Sequence, residues 1–142
     1  MPIPPWMLSA FIASLCFSSM TLLFRKLADL GTNTESINIF FFVLATVALW
    51  STAQLRHVAL SVPSGGWRWL ILAAILAVGA NHFSITALRS APNPGYVTAL
   101  RSIDIAMVTM GSALLLGVSI HPLKLLGIGL CIAGVWVMGL SN

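Results

Sequence analysis

The sequence predicts an all-α integral membrane protein of five transmembrane helices, and three observations carry that prediction. Of its 142 residues, 58% are hydrophobic and only 7% charged, against about 25% charged in an ordinary soluble domain. The apolar residues fall into runs that each match the ~20 residues needed to cross ~30 Å of hydrocarbon. Between the runs lie short stretches of turn-forming residues, none long enough for a soluble domain. Residues 1–142 are therefore expected to form a single transmembrane domain.

The first span is expected at about residues 6–23. Its leader, "MPIPPWMLSAF", has no basic n-region, and the apolar stretch behind it runs to a full span, so the sequence predicts a retained helix rather than a cleaved signal. "DLGTNTES" closes it, and a second span follows at about residues 36–55. "VPSGG" precedes the third, at about 67–88, and "APNPG" opens the fourth, at about 95–118. "HP" opens the fifth, at about 122–140. Cys16 and Cys131 fall inside spans one and five, where a cysteine reads as a small apolar filler.

Several function classes drop out. The chain has no Cys/His metal spacing, no glycine-rich phosphate loop, and no serine or cysteine set beside a base. Neither an enzyme nor a bound cofactor or metal is expected. The net charge of +4 comes from scattered residues that mostly flank the spans, and without a basic stripe it does not predict a nucleic-acid partner.

The informative stretch is "ALRSIDIAMV", residues 99–108, which sets an arginine and an aspartate three positions apart inside an apolar run. With entry near Gly95 and a rise of 1.5 Å per residue, Arg101 lies about 9 Å deep and Asp104 about 13 Å deep. On a continuous helix they share one face. Insertion costs about 2.5–3.5 kcal/mol for each such residue near the bilayer centre. This helix is therefore expected to face protein or water. One reading is a self-neutralising structural ion pair. The other is a pathway site, in which Asp104 takes up a proton or attracts a cationic group while Arg101 sets its ionisation or holds an anionic group.

Other polar residues recur at helical spacing. Ser14, Ser18, Thr21 and Arg25 form a stripe on helix 1, and His82, Thr86 and Arg89 form one on helix 3 with Asn81 and Ser84 adjacent. Serines and threonines also serve as packing residues between membrane helices. His82 can relay protons or donate to a neighbouring carbonyl. In "HPLKLLGIGLCIAGVWVMG", Gly127 and Gly134 stand seven apart on one face, where they would allow close helix packing.

That closing helix resembles the last helix of the EamA-like repeat in the drug/metabolite transporter superfamily. The resemblance covers nearly the whole chain: "LLFRKLADLG" ending helix 1, "TESINIF" opening the second span, "ITALRSAPNPGYVTAL" leading into the fourth, and the short turn before the fifth. The chain departs from the pattern at Val118, which follows Gly117 where the family usually carries a glutamate. It departs again at "RSIDIAMV", where the family usually carries a proline. The resemblance implies a transporter of small organic metabolites or drugs in a cell or inner membrane, working by exchange or with an ion gradient. A non-transporting membrane subunit, and a flippase subunit for a lipid-linked metabolite, are the alternatives.

Most such transporters hold two five-helix repeats, the second inverted relative to the first, whereas this chain holds one. Alternating access between inverted halves then predicts an upside-down partner. With the N-terminus inside, Arg56, Arg68 and Lys124 would lie on the inner side and Arg25, Lys26 and Arg89 on the outer. Three cations on each side give no positive-inside bias. The expectation is insertion in both orientations and an antiparallel homodimer, with a heterodimer of related half-transporters as the alternative.

Overall fold

The computed structural model describes residues 4–117, 119 and 122–140. These form six helices: α1 (Pro5–Asp29), α2 (Thr34–Leu55), α3 (Trp67–Ser90), α4 (Pro94–Arg101), α5 (Ile103–Leu116) and α6 (Pro122–Leu140), with a single 3₁₀ turn at Ser64–Gly66 leading into α3. Four stretches have the length and apolarity to cross a membrane: Pro5–Asp29, Thr34–Leu55, Ser64–Ser90 and Pro94–Leu116. The shorter apolar stretch Leu125–Val137 lies within α6. The five expected spans are present, with α4 and α5 in tandem making the fourth. The last residue expected in that span, Val118, and the His121 that opens the fifth lie outside the described residues.

The chain packs as two compact units, Met1–Ser90 and Ala91–Asn142. In the first unit, α1 begins at a proline in its first turn, where the missing N–H has no helical partner to lose. It runs six residues beyond the expected end because hydropathy stops at the first charges while the helix does not. Arg25 and Asp29, four apart, pair across its last turn at 2.9 Å. Gly31 then takes a left-handed backbone, φ 83°, and Thr32 N–H returns to the Leu27 carbonyl, closing the helix as a glycine can. Asn33 starts α2 by accepting from the Ser36 N–H at 2.7 Å.

The buried residues of this unit sit at one end only. They are Thr21 and Phe24 of α1, Thr34, Ile37 and Asn38 of α2, and Ile85 and Leu88 of α3. The end of α1, the start of α2 and the end of α3 thus share one packed end, whereas Trp67–Val78 of α3 and the first half of α1 are exposed. α3 packs against both α1 and α2, which touch each other less. Phe24 and Phe41 make the edge-to-face contact between those two, with ring centroids 5.2 Å apart.

In the second unit, Asn93 caps α4 by accepting from the Gly95 N–H at 2.8 Å, with Pro94 at the first helical position. Gly117, at φ 65°, ends α5. α6 packs on α4 and α5. The partly covered residues on α6 include Ile128, Ile132 and Val135, a ridge at helical spacing.

Candidate functional site

Two polar regions come from the chain's own geometry, one in each unit. In the first unit, Arg25 is held twice: its Nε donates to Asp29 Oδ1 at 2.9 Å, and its guanidinium donates to the Leu88 carbonyl at 2.6 Å. Leu88 stands two residues before the end of α3, among carbonyls that have no helical donor. A cation there also meets the negative end of the helix dipole. Arg25 therefore ties the end of α1 to the end of α3.

About two turns back along α3, Asn81 Nδ2 donates to Asn38 Oδ1 at 2.8 Å, joining α3 to α2. His82 is half-buried, and its ring lies edge-to-face with Phe83 at 5.6 Å. The helix 1 stripe divides: Thr21 is buried and Arg25 half-buried, while Ser14 and Ser18 lie on the exposed part of α1. Ser14 donates to the Ala10 carbonyl at 2.9 Å. Two partners escaped the sequence reading, Asn38 and the Leu88 carbonyl. The signal for Asn38 was available in "SINIF", an amide side chain entering an apolar helix. The Leu88 carbonyl had none, because every residue carries one.

In the second unit the structure breaks the fourth span at Ser102. Arg101 lies in the last turn of α4 and Asp104 in the first turn of α5. Ser102 N–H bonds to the Ala99 carbonyl and Ile105 N–H to the Ser102 carbonyl, each about 3.0 Å and each spanning three residues, so the chain tightens locally to 3₁₀ geometry. The Ser102 hydroxyl also reaches back to the Thr98 carbonyl at 3.4 Å, a bond that bends helices. The motif was legible as a stop followed by a start: a basic last turn, a serine, an acidic first turn. Each charge now complements the dipole of its own helix.

Arg101 and Asp104 are both exposed, and none of the apolar window of Pro94–Leu116 is buried. The partly covered residues of α5 are Ala106, Thr109, Gly111, Ser112 and Ala113. At about 100° per residue, Asp104 lies on the opposite side of α5 from the Ala106–Thr109–Ala113 stripe, while Arg101 is on α4 across the break. Gly127 and Gly134 are open too. A Cβ added at either would meet nothing within 4 Å, and their face lies about 110° round α6 from the Ile128–Ile132–Val135 ridge. Their expected close approach is not to any described residue of this chain.

No group of three or more His, Cys, Asp or Glu able to hold a metal occurs among the described residues. What the two regions offer is hydrogen bonding and charge within an apolar fold. Comparison with curated proteins and with solved structures found no match. A family model described as the EamA-like transporter family matches residues 4–140. Apolar helices long enough to cross a membrane and a family match over almost every residue lead to one conclusion: this multi-pass membrane chain belongs to the EamA-like transporter family.

Proposed function

We propose that the chain is one half of a membrane transporter for small organic metabolites or drugs, and that two copies work as an antiparallel dimer by alternating access. The observation that carries this reading is the exposed Arg101–Asp104 break. A charge at membrane depth is stable only where it meets protein or water, and both residues of this pair are exposed. Discontinuous helices that present dipole ends at mid-membrane are how many transporters build substrate and ion sites. The open Gly127–Gly134 face supports the dimer, since small residues let helices of separate chains approach closely. In this reading Asp104 exchanges the coupling proton or holds a cationic group, and Arg101 holds an anionic one. Asn81 and His82 of α3 and Ser14 and Ser18 of α1 contribute polar contacts along the path.

Transport tests the site. Asp104→Asn keeps the side chain's shape and removes its charge, so gradient-driven accumulation should fall to background while some exchange persists. Undiminished accumulation would remove Asp104 from the mechanism. Reporters fused after Asn142, which lies outside the described residues, test the antiparallel arrangement. Activity on both sides of the membrane is expected from the balanced cations, and activity on one side alone would overturn insertion in both orientations.

A further inference from the structure

We infer that Arg101 and Asp104 of one copy pair reciprocally with Asp104 and Arg101 of a second, inverted copy, so that each chain completes the charged break of the other. The inference rests on the antiparallel dimer proposed above and names the residues that meet in it. Asp104 is exposed, on the side of α5 opposite the Ala106–Thr109–Ala113 stripe. Among the described residues no hydrogen bond or ion pair ends on its carboxylate, whereas Arg25 and Asp29 close theirs at 2.9 Å. Arg101 is exposed on α4 across the break. A guanidinium has five donors, so it can serve an outside carboxylate beside any contact within its own chain.

Position and sign select the occupant. Pro94–Leu116 is a span of 23 residues, with Ile105 at its middle. At 1.5 Å per residue, Asp104 stands about 1.5 Å from that middle and Arg101 about 6 Å from it, on the same side. A half-turn about an axis in the membrane plane carries each residue to the same distance on the other side. Residues near the middle then come level with their own counterparts, and the contacts are reciprocal. Arg101 of one copy stands about 7.5 Å along the span from Asp104 of the other, an offset its flexible stem can cover. A parallel copy would instead set the two arginines level with each other. Inversion moves them about 12 Å apart with both aspartates between them, and the four charges sum to zero. A lipid headgroup is excluded, because it lies about 15 Å from the middle of the hydrocarbon.

The test uses the full chain under two different affinity tags, with co-purification in mild detergent as the readout. Arg101→Asp in every copy sets acid against acid, and Asp104→Arg sets base against base. Each should lower co-purification several-fold. Arg101→Asp under one tag with Asp104→Arg under the other restores both contacts, so this mixed pair should co-purify like the parent, as should the chain carrying both reversals. A mixed pair no better than either single variant would overturn the inference; beside a restored double reversal, it would place the ion pair within one chain. A second measurement leaves the charges in place. With Cys16→Ser and Cys131→Ser as background, Ile105→Cys should cross-link to its own counterpart through a short bis-maleimide. Leu115→Cys, also exposed but about 15 Å from the middle, should not. Cross-linking at 105 alone, with parent-like co-purification of both single reversals, would overturn the reciprocal pair and leave the dimer standing. Cross-linking at both positions, or a parent that does not co-purify, would overturn the antiparallel dimer and the pair with it.

Discussion

Two arginine–aspartate pairs in this chain have nearly the same spacing and opposite surroundings. Arg25 and Asp29 are four apart at the end of α1, and Arg25 also donates to a carbonyl at the end of α3. Arg101 and Asp104 are three apart across a helix break, both exposed, in a span with no buried residues in its apolar window. The first pair is absorbed into the packing of its own unit. The second lies exposed on an apolar span, where charge is costly against lipid. Spacing alone does not distinguish a structural pair from a functional one. Burial does separate these two: the Arg25–Asp29 pair sits at the packed end of its unit, whereas Arg101 and Asp104 are exposed.

The largest effect should come from erasing the outward pair. Arg101→Leu combined with Asp104→Met should leave folding intact, because apolar residues suit an apolar span better than charges do, and should abolish transport. If the double variant transports like the parent, the two pairs are equivalent scaffolding and the contrast collapses. Next comes assembly. Gly127→Leu or Gly134→Leu should spare the fold, since the new side chain meets nothing within 4 Å, yet should convert the dimer to monomer in detergent, as read by light scattering. A dimer that survives both changes would place this face against lipid.

The inward pair should answer in stability instead. Arg25→Ala removes charge-assisted bonds to Asp29 and the Leu88 carbonyl, at a cost of about 2 kcal/mol, measurable by unfolding in detergent. Transport per folded molecule should be retained. Loss of transport with no loss of stability would reverse the roles assigned to the two pairs. Smallest is the amide bridge: Asn38→Leu removes one interhelical hydrogen bond, a change of about 0.6 kcal/mol for such bonds in membranes. A cost several times larger would show that Asn38 holds more than α3.

The five spans could be read from composition because hydrocarbon imposes a single requirement on length and polarity, which any apolar run meets or fails by itself. Arg101 and Asp104 stood out for the same reason, as costly exceptions to that rule. The end of α1 was harder to place: the hydropathy limit at residue 23 marks where lipid stops favouring the chain, whereas the helix continues to Asp29 on local hydrogen bonds. The break at Ser102 was encoded in "RSID" as a stop and a start, but a hydropathy window averages over it.

What the sequence by itself determined, then, is the order of the apolar spans and the residues too polar to face lipid, since both follow from one-dimensional patterns of transfer free energy. Only the tertiary structure decided which residues meet: that Asn81 meets Asn38, that Arg25 ends on Leu88, and that Ile128, Ile132 and Val135 rather than the glycines form the partly covered ridge of α6. The physical reason is that pairing depends on the rotation and tilt of each helix about its axis. In a membrane those are set by close packing between specific side chains, and no term in the hydropathy of a single helix records them.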